Sequence, residues 1–409
     1  MRVALVCGRF RPDRDGVADY VASLAGALPD AGVDAVVAAA GPRRELESQG
    51  AVSIATRWDL AGAAAAARAL RRLRVDLVHV QFAPSAYGYS PFVGLLPVAL
   101  GSVPLVTTLH EYGWWAWPGR VPPPAWDLLE LRAPWDRETL LLAPNSSRLV
   151  VTNPVHAEVV RARLRRDPEV IPIGPNIEAS LSGAVAEQDR SEVRAAVRRD
   201  LGLRPDAPLL VFFGFVHPVK GLRYVLDAMP TLLQRHPTAH LVIAGGVESL
   251  ALPGDEALEF ESELREQIGR LGLRRSVTMT GWLPASRVSR LLTAGDVGVF
   301  PYTHGVTAKA GAVLAAQAHR LPVVVTRADP PDPLFVDGKT ALLVEPRDTA
   351  TVRVALDRLL GDPCLADRLA AAGQAVASER SWDQVAAAHA DLYGRVLAEA
   401  AEAKAARAW

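Results

Sequence analysis

The stretch VGVFPYTHGVTAKAGAVLAAQAHRLPVVVT, from Val297 to Thr326, begins and ends on short apolar runs, Val297 to Tyr302 and Leu321 to Val325. Both have the continuous, β-branched character of strands covered on two faces. Between them, Ala308 to His319 is alanine-rich and long enough for a helix. Strand, loop, helix, strand is the parallel crossover unit. Its loop, Thr303-His304-Gly305-Val306-Thr307, delivers the chain to the helix N-terminus, where unpaired N–H groups and the positive end of the dipole favour an anion. A phosphate or diphosphate suits that place. An ordinary glycine turn with Thr307 as N-cap would use the same residues without a ligand.

The alternation runs outward in both directions. Strands Leu209 to Phe213, His240 to Ala244 and Val277 to Thr280 precede the stretch, alternating with helices Leu222 to Arg235, Glu256 to Leu271 and Ala285 to Ala294. Strand Ala341 to Val344 and helix Thr351 to Leu360 follow it. A break spans Gly174 to Pro208, where Gly174-Pro175, the polar SLSGAVAEQDRSE and a charged helix from Glu192 to Leu201 read as linker and lead-in. Before it, strands Val3 to Val6, Val33 to Ala39, Leu77 to Phe82, Leu105 to Leu109, Leu149 to Asn153 and Val170 to Ile173 build a first half. That half carries helices Val17 to Leu28 and Leu60 to Leu73 and its own glycine loop, Gly8 to Gly16. Two doubly wound α/β domains, residues 1–178 and 179–381, are expected to face a central cleft, with ligands beyond the carboxyl ends of their strands. The tail is helical from Leu365, divided at Gly373 and at Ser381-Trp382. Its last helix, Gln384 to about Ala401, has a core-facing stripe of Val385, Ala388, Leu392, Val396 and Leu397.

Composition removes several function classes. With 45 basic and 45 acidic residues among 409, and no long basic run, neither nucleic acid nor an anionic membrane is expected as the main partner. Cys7 and Cys364 are far apart and lack metal-ligand spacing, so neither a disulfide framework nor a cysteine metal site is indicated. The apolar run Val3 to Cys7 is too short for a signal-peptide core, and Phe92 to Val106 is broken by Pro97, Gly101, Ser102 and Pro104. A chain without a transmembrane segment, located in the cytoplasm, is expected. Only four of the basic residues are lysine, namely Lys220, Lys309, Lys339 and Lys404. A lysine kept beside a glycine loop hints that a compact, mobile ammonium is wanted there. Lys220 and Lys309 both qualify.

Phe212-Phe213-Gly214-Phe215-Val216-His217-Pro218-Val219-Lys220-Gly221 ends one strand and starts a helix, so a second anion-suited loop ends a strand of the same domain. With these residues in place the chain resembles the retaining glycosyltransferase family 4, of the GT-B fold with two Rossmann-like domains. The resemblance is carried nearly end to end by RPDRDGVADYVASLAGAL, DLVHVQF, TTLHE, VIPIGPNI, FFGFVHPVKGL, LVIAGG, VTMTGWLP, the opening stretch and SWDQVAAAHADLYGRVL.

That resemblance implies that a UDP-, GDP- or dTDP-sugar binds mainly to the second domain and an acceptor to the first, and that the last helix crosses back onto the first domain. It places Gly16 opposite the donor, His110 at the reacting sugar and Lys220 on the diphosphate. Trp282 lies near the base, and the amides of Gly305, Val306, Thr307 and Ala308 hold phosphate and sugar hydroxyls. Gly214, Phe215, His217, Gly245, His304 and Lys309 complete the donor side; Asp19, Tyr20, Gln81, Glu111, Trp114 and Trp115 make the acceptor side. His79 is a further candidate, although it lies inside a strand. Tyr112, Trp114, Trp115 and Trp117 form an aromatic cluster suited to an acceptor platform, a lid or plain packing; a shallow membrane contact is disfavoured because only Arg120 accompanies it. No cofactor or metal is expected: the single D-x-D triplet, Asp13-Arg14-Asp15, reads as turn chemistry, with a metal role the lesser alternative. Two departures stand out. The family's pair of glutamates falls on Thr307 and Ala315, and its arginine after the strand-end glycine falls on Phe215, leaving His217 or Lys309 as candidates for the missing charge. A GT-B epimerase or phosphorylase and a non-catalytic nucleotide-sugar binder are the rival readings.

Overall fold

The structure, a computed structural model, describes residues 1–116, 123–132, 135–179, 187–248, 252 and 254–407. Trp117, Arg120 and residues 180–186 of the polar linker lie outside these. The described chain forms strands β1 (Arg2–Cys7), β2 (Asp34–Ala40), β3 (Val52–Ala55), β4 (Leu77–Phe82), β5 (Leu105–Leu109), β6 (Arg148–Val151), β7 (Glu169–Val170), β8 (Leu209–Phe213), β9 (His240–Ala244), β10 (Val277–Gly281), β11 (Val297–Phe300), β12 (Val323–Thr326) and β13 (Leu342–Val344). Two units contain them: Met1–Ile173 with Trp382–Trp409, and Gly174–Ser381.

The first unit holds a parallel sheet in the order β3-β2-β1-β4-β5-β6-β7. The order in which strands are added reverses between β1 and β4, where Leu5 pairs with Val37 on one side and His79 on the other. Every residue of β4 and β5 is buried, which explains their unbroken apolar runs and makes their few polar members conspicuous. The helix Gly16–Ala27 starts after Asp15, whose carboxylate accepts from the amides of Val17 (3.2 Å) and Ala18 (3.3 Å). Strand β6 stops before Asn153 because that side chain caps the next helix, Pro154–Leu164, accepting from the His156 amide at 2.9 Å.

The last helix, Trp382–Arg407, packs on Gly16–Ala27 and shares a core with Leu5, Val21 and Leu24. Its buried face is Val385, Ala386, His389, Leu392, Tyr393 and Val396. Ala388, expected in the stripe, is exposed, because at about 100° per residue it falls to one side of the line through Val385, His389, Leu392 and Val396.

The second unit holds a parallel sheet in the order β10-β9-β8-β11-β12-β13, reversing between β8 and β11. Helices Leu222–Arg235 and Ala285–Ala294 and strands β8 and β9 match the spans expected from periodicity. The opening stretch deviates: its helix is Gly311–Ala318, starting three residues later than expected. A distant carboxylate, Asp332, holds the Ala308 amide at 2.7 Å and keeps Ala308 to Ala310 out of the helix. Gly373 does not break the tail either. It lies inside Pro363–Ser378, where a Cβ would meet the Gln317 side chain at 3.0 Å, so glycine there permits close packing and the chain turns later, before Trp382.

Candidate functional site

In open parallel sheets the crevice forms beyond the carboxyl ends of the strands where chain order reverses. In the second unit this is the β8/β11 boundary, and both anion-suited loops emerge there. The Gly214 amide donates to Ala244 O (3.0 Å) and the Val216 amide to Gly246 O (2.9 Å), tying the loop after β8 to the loop after β9. Gly245 sits at φ 153°, and a Cβ on it would lie 1.9 Å from Gly214 O, so no larger residue permits that contact.

His217 then caps the short turn Pro218–Lys220, its Nδ1 accepting from the Val219 amide at 3.2 Å. An accepting nitrogen carries a lone pair, so in this geometry Nδ1 of His217 serves the turn. Gly221, at φ 67°, closes the turn where a Cβ would fall 1.8 Å from Pro301 O. Thr303 donates both its amide (2.9 Å) and its hydroxyl (3.3 Å) to Val219 O. The turn bearing Lys220 is thus clamped to the loop after β11. Lys220 Nζ lies 3.8 Å from the centre of the Tyr302 ring, and among the described residues no carboxylate pairs with it. A half-buried ammonium balanced by an aromatic face alone is a charge that an anionic ligand completes.

The loop after β11 corrects the expectation for its amides. Gly305 N–H donates to Tyr302 O (3.4 Å), Val306 N–H to Thr326 O (2.9 Å) and Ala308 N–H to Asp332 Oδ2 (2.7 Å). Three of the four amides from Gly305 to Ala308 are therefore engaged within the protein, leaving Thr307. At the helix start, Gly311 N–H goes to Lys309 O (3.1 Å) and Val313 N–H to Ala310 O (2.9 Å). The Ala312 amide stays without a protein acceptor among the described residues. Ala312 stands opposite Gly214, since a Cβ on Gly214 would lie 3.6 Å from the Ala312 Cβ. The donors suited to an anion are thus Thr307 and Ala312, beside Gly214.

Asp332 and Arg347 escaped the sequence reading. Asp332 also accepts from the Leu334 amide (2.9 Å), and Arg347 Nη2 lies 3.5 Å from His304 Nε2, while His304 Nδ1 is 2.9 Å from Thr303 Oγ1. Their one available signal is position: Asp332 lies in the loop after β12, which neighbours β11 in the sheet, and Arg347 in the loop after β13, one strand further out. Thr307 is half-buried and Ala315 fully buried in the helix, so neither family glutamate has a carboxylate in its place. Trp282 follows β10 and is largely exposed, Phe215 is half-buried and Lys309 is exposed.

In the first unit, His110 follows β5 and donates its amide to Phe82 O (2.9 Å). Its Nε2 lies 2.9 Å from Gln81 Oε1, and its ring meets the Tyr20 ring edge-on at 4.7 Å. Tyr20 and Gln81, expected on the acceptor side, are buried: they form the layer behind His110. The Tyr20 hydroxyl is 3.4 Å from His389 Nε2, and His79 is held between Tyr393 Oη and Thr108 Oγ1, each at 2.7 Å. His79 is thus a core histidine, kept neutral by burial and by neighbouring His389 and His110. Gly16 is exposed, and the space a Cβ would take is open. Asp19, Glu111 and Trp115 are half-buried, with Trp115 5.8 Å from the Tyr89 ring, and Trp114 is exposed.

Both acids of the D-x-D triplet are engaged. Asp13 pairs with Arg11 (3.2 Å) and Arg14 (3.5 Å), while Asp15 caps its helix. Burial, reinforced by the charge of Glu111 and opposed by the two amide bonds, raises the Asp15 carboxyl to about 6.

The chain beyond His110 is fixed by a buried ion network. Tyr112 Oη donates to Asp136 Oδ1 (2.8 Å) and the Gly113 amide to Glu138 Oε1 (2.9 Å). Arg163 contacts Glu138, Asp136 (2.6 Å) and Glu130 (3.2 Å) and lies 4.5 Å over the Tyr112 ring. Burial raises Glu138 to about 7, against the pull of Arg163. A cavity of about 850 Å³ in the second unit lies at the opposite, amino ends of β8, β11 and β12, beside Pro208, Asp296 and Pro322. Its Arg194 and Arg198 are bonded to Asp296 and to carbonyls, anchoring the lead-in helix Glu187–Asp200.

Two doubly wound parallel sheets, with a glycine-and-lysine loop at the second reversal, define a GT-B-type molecule. The fold is shared with a glycosyltransferase from Rickettsia africae (14% identity, TM-score 0.74, covering 97% of this chain and 98% of that one) and with Anabaena HepE solved with UDP and glucose (17%, 0.71, 97% and 100%). The family described as Glycosyltransferase Family 4 matches residues 14–179 and that described as Glycosyl transferases group 1 matches residues 207–362; the chain belongs to this glycosyltransferase family. Among curated relatives, an alpha-D-kanosaminyltransferase of Streptomyces kanamyceticus is 30% identical over 45% of this chain and 44% of its own length. A D-inositol 3-phosphate glycosyltransferase of Catenulispora acidiphila is 28% identical over 79% and 71%. The chain therefore aligns with less than half of the first relative and about seven-tenths of the second. Among the described residues no helix is long and apolar enough to cross a membrane.

Proposed function

We propose that the protein transfers a sugar from a nucleoside-diphosphate sugar to a small-molecule acceptor with retention of configuration and without a metal ion. The observation that carries this reading is the clamped turn of Lys220, whose ammonium faces Tyr302 and has no carboxylate partner among the described residues. As the glycosidic bond to the diphosphate breaks, negative charge grows on the leaving group; a fixed ammonium and helix-terminal amides stabilise it where it develops. The Thr307 and Ala312 amides supply that second element. Neighbouring folds support the donor class, since Anabaena HepE was solved with UDP and with UDP-glucose. Relatives named for D-inositol 3-phosphate support a small acceptor, which we assign to the first unit around His110 and Glu111.

The test is turnover of UDP-, GDP- and dTDP-sugars with a panel of polyol and aminocyclitol acceptors, in the presence of EDTA. One donor is expected to be consumed with nucleoside diphosphate released. Lys220→Ala is expected to lower kcat about 10²–10³-fold, the usual effect of removing one transition-state donor. Undiminished turnover in Lys220→Ala, or turnover abolished by EDTA, contradicts the reading.

A further inference from the structure

Strand β4 is buried throughout, yet it places an amide directly behind His110. Gln81 Oε1 lies 2.9 Å from His110 Nε2. An amide oxygen accepts and does not donate, so Nε2 carries the ring proton, and in the neutral imidazole the lone pair resides on Nδ1. The backbone of His110 is held by the Phe82 carbonyl, which accepts its amide at 2.9 Å, and the ring meets the Tyr20 ring edge-on at 4.7 Å. Tyr20 does not compete for the proton. Its hydroxyl turns to His389, whose Nδ1 must donate to Val385 O at 2.8 Å and whose Nε2 is therefore an acceptor. Gln81 Nε2 is buried and has no hydrogen-bond partner among the described residues. A methionine would fill the same volume without a buried amide nitrogen to satisfy, so packing alone does not account for glutamine here. The bond to His110 does.

We propose that Gln81 is a positioning residue: it holds the proton of His110 on Nε2 and fixes the ring rotation, so that the imidazole takes part in glycosyl transfer with Nδ1 as its lone-pair nitrogen. The catalytic consequence rests on the reaction proposed above; the tautomer does not.

Two readouts separate these. The first is the ¹⁵N shifts of the His110 ring in the full-length, histidine-labelled protein, the signal assigned by its loss in His110→Gln. The wild type is expected to show Nε2 in the protonated and Nδ1 in the unprotonated range; the opposite tautomer overturns the proposal, whatever the variants do. The second is Gln81→Met, which keeps volume but removes the acceptor. It is expected to mix the two tautomers and lower kcat about ten-fold with KM for the sugar nucleotide within about two-fold, the size of one lost hydrogen bond. Gln81→Glu, which keeps an accepting oxygen, is expected to restore the Nε2–H tautomer. Wild-type tautomer and kcat in Gln81→Met overturn the proposal. The expected wild-type tautomer in a protein that consumes no nucleotide sugar supports the Gln81 assignment and defeats the proposed reaction.

Discussion

Asp15 joins two demands at one residue: its carboxylate caps a helix, and its surroundings oppose the charge that makes it a good cap. Because the folded carboxyl is raised to about 6, above its unfolded value near ~3.9, the native state holds the proton more tightly. The resulting stability is present at low pH and is lost as pH rises to about 6. Asparagine caps as well as aspartate and does not titrate. Asp15→Asn is therefore expected to gain melting temperature relative to wild type between pH 4.5 and 7, and a difference independent of pH would refute this origin. Gly245 makes the opposite kind of point, since geometry alone decides it. A Cβ 1.9 Å from Gly214 O at φ 153° predicts that Gly245→Ala destabilises by about 3 kcal/mol in urea unfolding. At this scale the sequence singles out Gly214, Gly245, Gly305 and Lys220, because punctuation by glycine and the scarcity of lysine are local signals, and the structure places all four in loops after strands of the second unit. It offers His217 or Lys309 for the missing charge, and only the turn that His217 caps reveals that its Nδ1 accepts there. Asp332 was invisible because its partner, the Ala308 amide, is distant in sequence.

Among elements, the described part of the segment after β5 is held to the rest of its unit by charge as well as by the apolar burial of Tyr112 and Trp126. The Asp136 and Glu138 side chains are fully buried and depend on Arg163, itself only 19% exposed. Arg163→Leu would leave two acids without their cation, a change expected to cost about 3–5 kcal/mol in denaturant unfolding and to free Tyr112 and Gly113. A loss below about 1 kcal/mol would show that the network is dispensable. Nothing in local spacing announces this network, whereas strands such as β4, β5, β8 and β9 were legible to the residue. Those strands are buried on both faces, so composition alone marks them. The helix of the opening stretch was legible in type but not in its start, because Asp332 holds the Ala308 amide outside the helix.

At the scale of the whole molecule, the chain leaves the first unit after Ile173, builds the second, and returns with Trp382 to complete the first. The returning helix brings a polar seam, not only an apolar stripe: Tyr393 reaches buried His79 at 2.7 Å, and His389 meets Tyr20. Tyr393→Phe should leave the His79 ring short of one partner in a dry site and cost about 1–3 kcal/mol, measured on the unfolding of the first unit. The two doubly wound halves were legible from the restart of alternation after the linker; the seam was not, because it joins strand, first helix and last helix across the full length of the chain. In the second unit, Lys220, Thr307 and Ala312 are proposed to hold a diphosphate, the role on which the proposed reaction depends. It is tested most directly by melting wild type and Lys220→Ala with UDP, GDP, dTDP and ADP in EDTA. One nucleotide is expected to raise the wild-type Tm, a ligand at 100 times its Kd adding about 2.7 kcal/mol, and to lose most of that shift in Lys220→Ala. An equal shift in both proteins, or none from any nucleotide, would contradict the account.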